Sequence, residues 1–346
     1  VRGDAGVSRG VAVERSGEIM RAELVDPLTE AVPPAWDRFV AEQRLPVLWG
    51  SGPLTAAAWS AQSTPVLAVV SDGDTVVALL HGRFHGPRDF RRFVRPGEIP
   101  PLGVFECRLA PASLAGHRFA AGLDQAGRRA AVGAFERAVR ARYRALGFCY
   151  RHVETADLPA MTGRTRRVVR VSPDSLLATE WSTVDEYVRS LSGKWRSQLR
   201  KIHSGLATRV RRAITDTVPI ADAARLVNQV RSRHQRPGLV LPPISEQYLT
   251  HLNADPHTRF ATYSDAAGLL ALSTLHDDGT GLMMSYWGNR DRTEGGLANL
   301  YFDHYVDVVA HTIDLGRATL RPGKGMTRIK ERFGARLVPN HLVVGR

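Results

Sequence analysis

Apolar and polar positions along the chain repeat one order of elements twice. In the first half, "TPVLAVVSD" and "TVVALLHGRF" are β-rich runs joined at Asp72-Gly73-Asp74, a hairpin signal. In the second, "TRFATYSD" and "GLLALSTLHD" flank Asp265 to Gly268, and a further run follows Asp277-Asp278-Gly279. A helical stripe comes next in each half. Gly127 opens one, with Ala131, Phe135, Val139, Tyr143 and Leu146 at three- and four-residue steps. Gly296 opens the other, with Leu297, Tyr301, Tyr305, Val308, Thr312 and Leu315. Such stripes belong to helices packed on a sheet. Gly147 and Gly316 are predicted as left-handed helix stops, and a strand follows each. The pattern predicts an α/β fold, a mixed sheet with flanking helices, built as two tandem modules.

A connector joins them. "GRTRRVVRV" reads as a crossing strand. Thr183 and Glu186 form a capping box for a helix through Ser190. Ser192 or Gly193 restarts helix, with Trp195, Leu199, Ile202 and Leu206 on one face. "ADAARLVNQVRSRHQ" is a helix stopped at Pro237-Gly238, and Ser245 caps the next. Residues 1–20 are polar and Gly-bearing and read as a disordered tail, with folded sequence from about Met20. The expected division is 21–175 and 176–346, the basic connector helix opening the second unit.

Charge sharpens the picture. The chain of 346 residues carries 47 Lys and Arg against 34 Asp and Glu, a net charge of +13. That balance favours polyanionic partners, although arginine is spread along the whole chain. From Tyr187 to Thr215 there are eight Lys or Arg and no Asp or Glu. Two cysteines, Cys107 and Cys149, give no disulfide framework or zinc spacing and fit a reducing cytoplasm. No apolar run reaches the ~18–20 residues of a membrane span.

Several chemistries find no motif. There is no GxxxxGK[ST] phosphate loop and no GxSxG elbow, and the twelve histidines are scattered. His304 and His311 share a helix with Asp307 and Asp314, where a solvated face is the expected reading and metal the remote one. Cys149 reads as a small core residue. No metal is expected.

"RPGKGMTRIKERFGARLVP", Arg321 to Pro339, is the most informative stretch. Gly323 and Gly325 flank Lys324 directly after a strand, a turn that brings backbone N–H groups against an anion or a carbonyl oxygen. Taken with "SYWGN", the Gly-Gly helix start, "LG", a strand and then GxG…K…FG, the chain resembles the FemAB-like branch of the GNAT acyltransferase superfamily. "VDEYVRSLSGKWRSQLRKI" is similar to that family's Ser-x-Lys-x-Arg-x-x-x-Arg-Lys motif, and "PPAWDRFV", with Trp36, to its early helix.

The resemblance implies two GNAT-like domains, an acceptor cleft at their interface and an acyl donor in the second. Members move an acyl group to an amine, some from aminoacyl-tRNA and others from acyl-CoA. No tightly bound cofactor is implied. The expected co-substrate is aminoacyl-tRNA, with acyl-CoA the alternative and a non-catalytic nucleic-acid-binding module a third reading. The acceptor would be a small-molecule or cell-wall amine. The CoA-loop pattern survives only as Arg292-Thr-Glu-Gly295-Gly296-Leu297. There is no long coiled-coil arm.

Lys330 matches the family lysine and is expected to stabilise negative charge on donor or intermediate. Tyr286 matches the aromatic beside the donor strand. Glu106, an acid among apolar neighbours, is the candidate base, its pKa expected to rise on burial. Asp303 and Glu294 are alternatives. Donor contacts are expected from Lys194, Arg196, Arg200 and Lys201, from Gly295 and Gly296, and from Gly323, Lys324 and Gly325. Tyr286, Trp287 or Tyr301 could stack on single-stranded nucleotides.

Overall fold

The computed structural model describes residues 20–61, 63–86, 102–109, 112–235 and 242–346. The expected tail lies outside these residues, apart from Met20. The first half runs β1 (Arg21–Val25), α1 (Pro34–Glu42), α2 (Ser51–Trp59), β2 (Thr64–Asp72), β3 (Thr75–His85), β4 (Gly103–Cys107) and β5 (His117–Phe119). It continues with α3 (Gln125–Tyr143), β6 (Ala145–Glu154), α4 (Leu158–Met161) and β7 (Arg166–Ala178). Two connector helices follow, α5 (Val184–Ser190) and α6 (Gly193–Ala207). The second half runs β8 (Arg211–Thr215), α7 (Ile220–Arg233), α8 (Glu246–Asn253), β9 (Thr258–Asp265), β10 (Gly268–Asp277) and β11 (Gly281–Asn289). It ends with α9 (Leu300–Asp314), β12 (Thr319–Arg321), α10 (Thr327–Arg332) and β13 (Arg336–Gly345).

Among the described residues the strands form one mixed sheet, ordered β1-β2-β3-β4-β6-β13-β7-β12-β11-β10-β9-β8, with β5 on β3. The runs β1-β2-β3-β4-β6 and β8-β9-β10-β11-β12 correspond position for position, and each ends in a parallel pair. The fold is thus a tandem α/β repeat. The last strand of each half crosses over. β13 inserts beside β6, while β7 lies on β13 through Leu176 and on β12 at Leu177 and Ala178. A boundary at 175/176 therefore falls inside β7.

Packing follows the repeat. Phe84, Phe105, Phe135, Phe148 and Tyr150 pack the first sheet under α3. Tyr187, Trp195, Tyr305 and Phe333 pack the second under α5, α6 and α9. A third core joins the halves on the other face, where Trp36, Trp49 and Leu54 meet Leu226, Tyr248 and Tyr286. Trp36 donates Nε1–H to the Trp49 carbonyl at 2.6 Å.

The caps at Thr183, Ser192 and Ser245 form as expected. The expected stop at Pro237-Gly238 lies outside the described residues, and α7 ends at Arg233. Helix α3 departs from expectation at both ends. Asp124 caps it by accepting from the Gly127 N–H, and Arg144, at φ 48°, ends it. Gly147 is instead a residue of β6, where a Cβ would stand 3.0 Å from the Gly345 carbonyl oxygen. The expected solvated histidine pair is also corrected. His304 is fully buried beside Trp287, and burial pushes its imidazole down to about 3. Cys149 is half-buried rather than core.

Candidate active site

The site starts from a splay in the second half's sheet. β11 and β12 pair only over Gly281–Met283 and Thr319–Arg321. Beyond Met283, β11 continues along β10 to Asn289, while β12 ends and the chain turns away. That turn needs left-handed backbone at Gly323 (φ 72°), Gly325 (φ 79°) and Met326 (φ 47°). A non-glycine residue in this region stores strain, which collects at functional sites. In the first half β4 pairs with β6 along its whole length, β6 runs on past it to Glu154, and β5 rejoins β3.

Cavities lined by residues of both halves open beside this splay. One of about 180 Å³ is lined by Asp174, Arg231, Ser285, Tyr286, Gly323 and Lys324, among others. A neighbour of about 380 Å³ adds Arg118, His152, Glu154, His276 and Asn340. The two share Ser113, Leu114, Asp174, Met283, Arg321 and Lys324, so they form one cleft between the halves. An outer cavity of about 500 Å³ meets the second at Arg44, Leu45 and Asp278.

Lys324 is the lysine that faces this cleft. Its Nζ donates to Nδ1 of His152, a residue itself held at φ 61°. Burial lowers the Lys324 ammonium to about 8, against the opposing pull of Asp174 and Glu154. Burial, then the Lys324 charge, lowers His152 to about 3, so a neutral imidazole accepts from a cationic lysine at pH 7. Lys330, expected to touch the donor, lies behind the turn. It is 1% exposed, and its Nζ donates to the carbonyls of Gly323 at 2.7 Å and Lys324 at 3.1 Å. Burial lowers it to about 8 as well. Its geometry holds the turn that presents Lys324. Tyr286 lines the cleft, and its hydroxyl shares a hydrogen bond of 2.9 Å with Tyr248.

Glu106 is corrected as a base. Burial does push its carboxyl up, but the bond from His85 and the charges of Arg108 and Arg151 outweigh it, and the net is a fall to about 2. His85 Nε2 lies 3.2 Å away and Arg108 Nε 3.1 Å, the latter close in charge without hydrogen-bond alignment. A carboxylate so paired is a poor proton acceptor at neutral pH. Asp303 is likewise engaged, by Arg212 at 2.6 Å and His203 at 2.9 Å.

The expected donor-binding residues separate in space. The turn at Gly323, Lys324 and Gly325 borders the cleft. Lys194, Arg200 and Lys201 are exposed on α6, which packs on α9 through Trp195 and Phe302, and none of them lines the cleft. Arg196 is already engaged, donating to the carbonyls of Arg189 at 2.5 Å and Leu191 at 3.0 Å. Gly295 and Gly296 close their own loop. Their N–H groups donate to the Arg292 and Asp291 carbonyls at 3.2 and 2.7 Å. Glu294 reaches from that loop to Gln229 at 2.8 Å and Arg225 at 3.4 Å. Sequence reasoning missed His152, Asp174 and Arg231, which no local motif marks and only the tertiary fold gathers; Arg321 opens the Gly-rich stretch but is not singled out there.

No protein-family model and no curated protein matches the chain. Solved structures do. L-PGS from Bacillus licheniformis superposes with a TM-score of 0.58 at 11% identity, over 91% of this chain and 92% of that one. FemX gives 0.56 at 10% identity, over 91% and 96%. The chain shares the fold of L-PGS and FemX. The C-terminal domain of a putative lysylphosphatidylglycerol synthetase from Agrobacterium fabrum follows at 0.55 and 12% identity, over 90% and 91%. These likenesses span nearly the whole of each chain and so take in both halves.

Proposed function

We propose that the protein is an acyltransferase that moves an aminoacyl group from aminoacyl-tRNA to an amine of a small-molecule or cell-wall precursor. The carrying observation is the cleft at the β11–β12 splay, where a cationic lysine of lowered basicity is held by a neutral histidine. An acyl transfer passes through a tetrahedral oxyanion, and a desolvated ammonium beside it is worth far more than one in water. Lys324 supplies that charge, Lys330 fixes the turn that carries it, and the Tyr286–Tyr248 pair offers a hydroxyl donor. Arg231 adds positive charge around the acyl end of the donor, while Arg321 is paired with Glu154 at 3.4 Å.

The choice of donor rests on the loop before α9. An acyl-CoA pyrophosphate needs free N–H groups there. Those of Gly295 and Gly296 already serve Arg292 and Asp291, and Glu294 adds negative charge to the same loop. A tRNA needs no such nest, because its phosphates meet the exposed cations of α6 and the general +13 charge. The fold shared with FemX and with a lysylphosphatidylglycerol synthetase supports the same reading. Fluorescence titration with uncharged tRNA and with coenzyme A tests it. The expected result is tRNA binding that weakens steeply from 50 to ~200 mM salt. Salt-insensitive binding of coenzyme A alone would overturn it.

A further inference from the structure

Asp174 stands on β7 shortly before that strand meets β12 at Leu177. The strand bulges beside it. Asp174 pairs with Val338 and Val171 with Asn340, so Ser172 and Pro173 together oppose Pro339. A bulge re-aims the side chains next to it. Asp174 is 8% exposed and lines both cavities of the cleft, as Lys324 does. Its charge pulls on Lys324 and Lys330 alike. One oxygen, Oδ1, accepts the Ser175 N–H at 2.9 Å. The other, Oδ2, accepts no hydrogen bond among the described residues. Arg321 Nη1 stands 3.9 Å from it, beyond hydrogen-bond reach, and lies nearer Glu154 at 3.4 Å. A buried carboxylate oxygen with free lone pairs, facing a cavity, is completed by a donor on a ligand.

Acid continues outward from there, in a chain whose net charge is +13. Asp278 lines both the cavity of about 380 Å³ and the outer one of about 500 Å³, where Asp37 and Asp255 join it. Asp277 in the same wall is neutralised by Arg317 through two bonds of 2.8 Å. The other three have no cationic partner within salt-bridge distance among the described residues. Asp37 takes the Ser51 N–H at 2.9 Å, Asp255 the Thr258 hydroxyl at 2.6 Å, and Asp278 the Gly281 N–H at 2.7 Å. Arg44 is the uncompensated arginine they face. Arg118, on the inner wall, lies over the Trp49 ring and donates to the His117 carbonyl. A phosphorylated or otherwise anionic acceptor would meet like charge in the outer cavity and leave Asp174 Oδ2 unpaired.

We propose that the acceptor is a polycationic amine of the polyamine class. Its reacting nitrogen donates to Asp174 Oδ2, and its further ammonium groups lie along Asp278, Asp255 and Asp37. An N–H held by Asp174 leaves the nitrogen lone pair free for the carbonyl beside Lys324. The inference rests on the acyl-transfer reading and gives that reading its acceptor class.

Isothermal titration calorimetry without any donor tests it, with spermidine as the probe and butylamine as the singly charged control, at pH 7 and 50 mM salt. Spermidine should bind at one site, and butylamine about tenfold more weakly or less. Asp174→Asn keeps the shape and the Ser175 bond but loses the charge, and should weaken spermidine about tenfold or more. Asp255→Asn with Asp278→Asn should weaken it about three- to tenfold and leave butylamine unchanged. Near-UV circular dichroism of each variant should match the wild type. No spermidine binding, equal affinity for the two amines, or wild-type affinity in Asp174→Asn would overturn the proposal. These titrations contain no tRNA or nucleotide, so failure of the acceptor site is distinguishable from failure of the donor reading, which the tRNA titration decides.

Discussion

Replacing Glu106 by Gln separates an ion-pair hub from a catalytic base. Its carboxyl falls from 4.5 to about 2, a shift worth about 3 kcal/mol in favour of the folded carboxylate. The side chain is 11% exposed, so solvent screens it little, while Arg108 and Arg151, at 28% and 45%, regain water when the charge goes. About 3 kcal/mol is thus an upper value. The sign follows from linkage: a depressed carboxyl stabilises fully above its unfolded value near 4.5, and the gain disappears as pH falls through about 2. Urea unfolding of wild type and Glu106→Gln at pH 7, 4 and 3 measures it. The variant should be less stable by about 2–3 kcal/mol at pH 7, and the gap should narrow steadily below pH 4.5. The pH–rate profile should keep its shape. Equal stability at pH 7, or loss of an acid limb from the rate profile, would refute the assignment and restore Glu106 as a base.

Lys324→Met should lower kcat about 10²-fold with a smaller change in KM, read by transfer kinetics. The wild-type rate should fall as pH rises through about 8, where the Lys324 ammonium is lost, and Lys324→Arg should move that limb upward. Lys330→Met leaves the Gly323 and Lys324 carbonyls unpaired and should cost about 2–4 kcal/mol in thermal or urea unfolding at pH 7. Because burial depresses this lysine, wild-type stability should gain on the variant between pH 8 and 10.5. Joint reversal of Lys194, Arg200 and Lys201 to Glu should weaken tRNA binding and lower its salt slope by about one per lost phosphate contact. Wild-type affinity would return that surface of α6 to plain solvation.

Much of the architecture was legible because it is local. Hairpin signals at Gly73 and Gly268, apolar stripes on α3 and α9, and hydroxyl caps at Thr183, Ser192 and Ser245 each declare themselves within a few residues. The exchange of β7 and β13 was not legible, since no short stretch encodes which distant strand another will pair with. The site divides in the same way. The Gly323–Gly325 turn is a local signal, but which of two lysines six residues apart enters the cleft depends on the left-handed Met326 and the short helix α10. Glu106 looked like an isolated acid because His85 and Arg151 reach it from neighbouring strands. Asp174 reaches the cleft where β7 and β13 pair across a bulge, which spacing in the sequence does not reveal.

Transfer from a defined donor tests the central claim most directly. The protein is incubated with a metabolite extract as the source of amines and with either a panel of charged tRNAs or a panel of acyl-CoAs, with and without prior RNase. Amide products are followed by mass spectrometry. The expected result is an enzyme-dependent aminoacyl amide from charged tRNA, abolished by RNase and by Lys324→Met. Product formed from acyl-CoA alone and indifferent to RNase would contradict it.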